Sequence, residues 1–197
     1  WCRLDRRNLG AAHDLGADAY AARGHGWLLG PVGTGFLYVR RDLLPRLEPR
    51  YRNRLDGRDL STRAARPIEA ARQLELEMRS ASLAAGLTAS IEWQSGLGID
   101  GVNGQATALA ARLHAGLSGI DGIEVLTPAA SVQSSPVVSF RVSRRPNAQV
   151  VSWLQDELGM RLRRIDALGL DAVRASTHVV NQVRDVDWLV DAVRALA

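Results

Sequence analysis

The chain has 197 residues and a net charge of +4, from 25 basic and 21 acidic side chains, and every one of the 25 basic residues is arginine. A chain with no lysine cannot supply a lysyl amine, which excludes a Schiff base, a lysine general base or a Walker-type phosphate loop built from its own residues. The composition, 46% hydrophobic and 23% charged, is that of a globular protein able to bury a core, as one large domain or two small ones.

The charge is small and mixed in sign along the chain, so no nucleic-acid partner is expected. The densest basic run, Arg46 to Arg58, interleaves Glu48 and Asp56 and has Tyr51 as its only aromatic residue, which reads as a solvated loop. Cys2 is the single cysteine; no intrachain disulfide can form, and a reducing, cytoplasmic setting is the default expectation. No apolar run approaches the roughly 20 residues that span a bilayer, so no membrane partner is expected. The first residues lack the apolar stretch of a signal peptide, and the absence of an initiator Met suggests a fragment or processed product.

In chain order, residues 9 to 25 predict a short helical turn and then a short strand around Asp18 to Ala22. Gly26 to Gly35 is a glycine-punctuated loop, followed by the apolar strand Phe36 to Val39. Asp42 is placed to cap a short helix, Leu43 to Leu47, that Pro49 stops. Two long helices follow. Ala81 to Leu97 carries Leu83, Leu87, Ile91 and Leu97, and Val102 to Leu117 carries Val102, Ala106, Leu109, Leu113 and Leu117, with Gly96 and Gly98 separating the two. The remainder alternates: strand Ile123 to Leu126, a Pro/Ser-rich loop, strand Val137 to Val142 and helix Ala148 to Leu158. Strands Met160 to Ile165 and Ala172 to Ser176 then lead to a final helix, Val186 to Leu196, opened by Asp185. Strand-strand-helix-strand-strand-helix predicts a small α+β sandwich, one helical layer on a sheet.

Few residues offer chemistry on pattern alone. The loop Gly30-Pro-Val-Gly-Thr-Gly35 could bring backbone amides close to a phosphate, yet its spacing is neither that of a phosphate loop nor of a dinucleotide fingerprint. His13, His25, His114 and His178 lack metal-ligand spacing, and no metal site is expected. No Gly-x-Ser-x-Gly elbow is present. Arg174 sits where the strand Val173-Arg174-Ala175-Ser176 ends in a polar loop, a position from which a guanidinium can fork a carboxylate or form a surface ion pair.

Taken together, Leu-Gly-Ala-Asp-Ala-Tyr (15 to 20), Gly-His-Gly-Trp-Leu-Leu-Gly-Pro-Val-Gly-Thr-Gly-Phe-Leu-Tyr-Val (24 to 39) and Arg-Ala-Ser-Thr-His-Val-Val-Asn (174 to 181) resemble the C-terminal half of a class V aminotransferase-like, fold-type I pyridoxal phosphate (PLP) enzyme. The isopenicillin-N epimerase and cysteine desulfurase-like branch is the most similar. The resemblance implies an α/β fold, the C-terminal part of a PLP-transferase: residues 1–95 as the remnant of the large PLP-binding domain with an interface helix, and 96–197 as the small α+β domain. It also implies PLP as cofactor, an amino-acid-like substrate and a homodimer. His25 would adjoin the phosphate or ring, Arg23, Trp27 and Thr34 would line the cofactor, and Arg174 would clamp the substrate carboxylate.

Two departures accompany the resemblance. The residue between the His and the Trp, which in such enzymes is the lysine that anchors PLP, is Gly26 here. Where the family often has a Gly-Thr pair reaching the partner subunit's phosphate, Glu77 and Met78 stand, and both are poor phosphate ligands. Three readings follow. The chain is a partial or degenerate homologue without lysine-dependent catalysis; or PLP is held noncovalently with His25 as base in a site completed by an N-terminal half; or the fold is a non-catalytic dimeric interaction module using the helices from Ala81 to Leu117.

Overall fold

The computed structural model describes residues 16–47, 74, 80–129 and 135–197. The chain divides into two compact units, Trp1–Ile99 and Asp100–Ala197.

The first unit is built on a hairpin. Strand β1 (Ala19–Arg23) pairs antiparallel with β2 (Gly35–Val39), from Ala19 opposite Val39 to Arg23 opposite Gly35. Strand β1 half-buries alternate residues, as the two-residue side-chain period requires, β2 half-buries Phe36, Tyr38 and Val39, and Tyr20 sets its ring edge-on to Phe36 at 5.7 Å. Just beyond β2, Arg40 reaches Asp18 at 2.8 Å and Asp42 at 2.6 Å. The expected capping role of Asp42 is corrected here: the helical turn is a 3₁₀ helix spanning Arg41–Arg46, so Asp42 lies inside its first turn and spends its carboxylate on Arg40. Pro45 falls near the end of this short 3₁₀ helix, which tolerates it because so short a helix asks few N–H groups of its interior. The expected stop at Pro49, most of the Arg46 to Arg58 run, Cys2 and His13 lie outside the described residues.

Helix α1 (Ala81–Leu97) has the expected bounds, with Ser80 accepting the Leu83 N–H as its cap. Gly96 is inside the helix; Gly98, at φ +79°, ends it. Leu83 and Leu97 stay exposed, and the face turned inward carries Leu87, Ser90 and the fully buried Gln94.

In the second unit, helix α2 runs Ile99–Ser118, one turn longer at its start than the apolar pattern indicated. Strands β3 (Ile123–Val125), β4 (Val137–Val142), β5 (Arg163–Ile165) and β6 (Ala172–Ser176) form one antiparallel sheet in the order β3-β4-β6-β5, with α3 (Asn147–Leu158) between β4 and β5 and α4 (Val183–Leu196) last. Strand β5 is shorter than Met160 to Ile165 because the N–H of Met160 is taken by the Leu154 carbonyl in the turn that ends α3, where Gly159 adopts φ +66°. Asp185 does not open α4: Gln182 is the cap, and Asp185 closes a capping box by accepting the Gln182 N–H at 2.9 Å.

The core of this unit lies between one face of the sheet (Val138, Phe140, Val142, Val173, Ala175) and the apolar stripes of α2, α3 and α4. Phe140, Leu117, Leu154, Val173 and Val193 are wholly buried, each contributing about 1.5–3 kcal/mol by leaving water. Helices α2 and α4 approach closely at Gly116, where an added Cβ would stand 2.7 Å from Val190. A bidentate pair from Arg112 to Asp187 joins the same two helices at their surface. Among the described residues no helix is long and apolar enough to cross a membrane.

Candidate functional site

The connection between β1 and β2, residues 24–34, carries four of the six residues singled out by sequence, His25, Gly26, Trp27 and Thr34, and Arg23 ends the strand before it. Its ends are tied by the Gly24 N–H to the Thr34 carbonyl at 2.8 Å, and it folds back through the Gly30 N–H to the Gly24 carbonyl at 2.9 Å. These bonds bring backbone so near backbone that side chains are excluded. A Cβ on Gly30 would stand 2.8 Å from the Gly24 carbonyl oxygen and 2.6 Å from Leu87 Cδ1. The loop is seated on α1: Leu87 packs beneath Gly24 and Gly30, Pro31 fills the space over Gly86, and the Ser90 hydroxyl donates to the Leu28 carbonyl.

At the tip, the Leu29 N–H closes a turn onto the Gly26 carbonyl at 2.8 Å. Gly26 has φ +85° and Leu29 φ +55°, and a leucine in the left-handed region marks a turn held there by its surroundings. Nothing lies within 4 Å of where a Cβ on Gly26 would be, so this glycine is suited by its backbone conformation, not by lack of room.

The other candidates take distinct positions. Arg23 ends β1, exposed, opposite Gly35. Trp27 is half-buried. Thr34 donates its hydroxyl to the Pro31 carbonyl at 2.6 Å, which commits its proton within the loop. His25 is half-buried with Nδ1 shut off from solvent, and among the described residues that nitrogen has no hydrogen-bond partner. A buried polar atom left so costs about 1–3 kcal/mol. The amide of Gln94 on α1 is likewise buried without a partner. Glu77 and Met78 lie outside the described residues.

Arg174 belongs to the second unit. It is half-buried on β6, with Ser139 of β4 on one side and Arg163 of β5 on the other. The loop that follows is fixed by the Thr177 hydroxyl, which donates to the Ala106 carbonyl at 2.8 Å, and by the Asn181 side chain, which accepts the His178 N–H at 2.9 Å. Gln105 of α2 donates to the Val179 and Asn181 carbonyls. At the opposite end of the sheet the Asn147 amide, buried, accepts the Val142 N–H and donates to Asp171, whose carboxyl also faces Arg164. Chiefly the Asn147 hydrogen bond, and then Arg164, hold the Asp171 carboxyl below the usual range. Among the described residues no three His, Cys, Asp or Glu side chains gather as metal ligands would.

Sequence reading placed Leu87 in the apolar pattern of α1 but did not single out Ser90 or Gln94. The three recur at three- and four-residue spacing on α1, a signal that shows a shared face but not what that face meets.

The aminotransferase class-V model matches residues 11–189, which is nearly the whole chain. The chain belongs to the aminotransferase class-V family. Among curated relatives it is 34% identical over 194 residues to isopenicillin N epimerase of Amycolatopsis lactamdurans, covering 93% of this chain and 48% of the epimerase. Among solved structures it matches the apo cysteine desulfurase of Thermococcus onnurineus NA1 with a TM-score of 0.83 at 26% identity, over 94% of this chain and 48% of that one. It also matches a lysine-to-alanine mutant of C-DES with glycine covalently linked to its PLP cofactor, with a TM-score of 0.80 at 26% identity, over 93% and 47% of the two chains. The chain thus spans about half the length of the relatives it matches, and it shares with them an α/β fold of this family over that half.

Proposed function

We propose that this chain is a lysine-less homologue of PLP-dependent class-V enzymes, retaining the loop of residues 24–34 in its first unit and Arg174 in its second but not the amine that would anchor the cofactor. The observation that carries this reading is Gly26: the residue between His25 and Trp27 has no side chain, its φ of +85° favours glycine, and no lysine exists elsewhere in the sequence. The residues present do not fit PLP held through a lysyl amine. Residues 1–95 are then the remnant of the cofactor-binding large domain and 96–197 the small domain, with ancestry in the epimerase, desulfurase and C–S lyase branch. What remains useful is the carboxylate-binding capacity of Arg174, whose guanidinium offers a planar fork.

Titration with PLP followed by borohydride reduction and peptide mass mapping tests this. No pyridoxyl group is expected on any side chain; stoichiometric pyridoxylation of a side chain would sink the proposal.

A second reading has one observation in its favour, the buried and unpartnered Nδ1 of His25. A ligand able to hydrogen-bond that nitrogen would remove the burial cost, and an imidazole is the side chain suited to act as a base near neutrality. The C-DES mutant carries PLP although one of its lysines is alanine. On this reading PLP is bound without a covalent link, an N-terminal half completes the site, and His25→Ala abolishes turnover of amino acids; unchanged turnover rejects it.

A further inference from the structure

We infer that strand β2 is the contact of a homodimer, its outer edge pairing antiparallel with the same edge of a second copy of this chain. This goes beyond the proposed function, and it places the contact on the hairpin rather than on the helices from Ala81 to Leu117. The observation is which backbone groups the hairpin leaves over. At its two ends the Arg40 N–H donates to the Asp18 carbonyl at 2.9 Å and the Gly24 N–H to the Thr34 carbonyl at 2.8 Å. Bonded and non-bonded pairs alternate along an antiparallel ladder, so in this register the bonded pairs between those ends are Tyr20 with Tyr38 and Ala22 with Phe36. Gly35, Leu37 and Val39 therefore turn their N–H and C=O groups away from β1. Among the described residues no further strand lies beyond them, and the sheet is β1 and β2 alone. The edge is open to solvent, with Leu37 at its centre 47% exposed.

Natural proteins blunt such an edge with a charge, a proline or a bulge. The strand Gly35-Phe36-Leu37-Tyr38-Val39 has no charge and no proline, and its register runs without interruption. What favours a second copy as the occupant is that this strand is complementary to itself. A two-fold axis through Leu37 sets Leu37 opposite its own counterpart, Gly35 opposite Val39 and Phe36 opposite Tyr38. The outward N–H and C=O groups of Gly35, Leu37 and Val39 then all meet partners, and Phe36 and Tyr38 form cross-strand aromatic pairs of the kind that stabilise sheets. Charge agrees with the same register. Arg40 of one copy falls opposite Thr34 of the other and Arg41 opposite Gly33, so no like charges meet, and Arg40 is already matched by Asp18 and Asp42. A two-stranded hairpin is marginal by itself, and the pairing makes it the half of a four-stranded sheet. A contact between strands of 5 residues is small, so the dimer is a weak one that forms and dissociates in the micromolar range.

Sedimentation velocity of the whole chain over a concentration series tests this. The native chain is expected to pass from monomer to dimer as concentration rises. Leu37→Lys sets two like charges face to face on the axis and should weaken the dimer at least about tenfold, and Leu37→Glu should do the same. Mixed in equal amounts, these two variants should recover the dimer, because the axis then carries one charge of each sign; damage to the fold gives no such rescue. Leu37→Pro removes the N–H at the centre of the edge, one that β1 does not use, and should leave a folded monomer. A native chain that stays monomeric, a dimer that persists unweakened in either Leu37→Lys or a folded Leu37→Pro, or a Lys–Glu mixture no more dimeric than its components would overturn the inference. Should circular dichroism show that Leu37→Pro does not fold, the mixing experiment decides alone.

Discussion

Leu87 of α1 packs against Gly30 so closely that a side-chain carbon on that glycine would sit 2.6 Å from Leu87 Cδ1. The same leucine lies 2.9 Å from the corresponding point on Gly24. The loop that resembles a cofactor-binding segment is therefore shaped as much by the helix beneath it as by its own glycines. Gly30→Ala should destabilise the first unit by about 1–3 kcal/mol, since the Gly24 carbonyl on the other side is backbone and cannot rotate away. Leu87→Ala in the same chain should recover part of the loss. Urea denaturation of the two single variants and the double variant measures the coupling, and strict additivity would show that the contact is not shared.

At Gly26 the opposite cause operates. Nothing crowds the position, but φ is +85°, so Gly26→Ala should cost about 1–2 kcal/mol from backbone strain alone, and Gly26→Asn less, because asparagine tolerates left-handed backbone. Gly26→Lys carries the same strain as alanine. Thermal denaturation of the three variants checks the order; equal stability of Ala and native chains would show that the loop relaxes freely.

Asn147 joins three elements through one buried amide, accepting from Val142 and donating to Asp171. Asn147→Ala strands the Val142 N–H in the interior and should lower stability by about 2 kcal/mol, read from the urea midpoint. Asn147→Asp should be costlier than Ala at neutral pH, because it sets a second carboxylate against Asp171.

Acid should unfold the second unit earlier than core burial alone would suggest. The Asp171 carboxyl is held low by Asn147 and Arg164, and that of Asp187 by its hydrogen bond from Arg112. A carboxyl whose pKa is lower folded than unfolded stabilises the fold at neutral pH, and this contribution is lost as pH falls through the ordinary carboxylate range and below it. Denaturation midpoints between pH 7 and pH 2 should fall with pH, and Asp187→Asn should flatten the slope while lowering the neutral value. A slope unchanged in that variant would place the acid sensitivity elsewhere.

Helix α2 and strands β4 and β6 were legible in the sequence because each has an apolar pattern that its burial follows, whereas α1 leaves the pattern leucines Leu83 and Leu97 exposed and buries Gln94. Helix α1 and strands β4 and β6 appear with the bounds the pattern indicates. Ends decided by polar competition were not legible: Asp42 was free in sequence to cap a helix, and only the position of Arg40, which Asp18 also shares, shows that it is spent as an ion-pair partner. Asp185 resembles a helix opener, yet the Gln182 side chain can cap one turn earlier because the two groups satisfy each other's N–H.

The sequence by itself determined the family resemblance, the absence of any lysine and the identity of Gly26, since these are statements about which side chains exist. Tertiary structure decided what surrounds them. Gly26 is a conformational glycine with open space around it, Gly24 and Gly30 are glycines of close approach, and no spacing rule separates the two kinds, because the difference lies in Leu87 and in a backbone angle. In the same way 25 arginines are a count until strand register sets Arg163 opposite Arg174, and the fold brings Arg141 to Glu124 and Arg164 to Asp166. Register depends on pairing between segments distant in sequence, and it is there that a lysine-free composition becomes a local arrangement of charge.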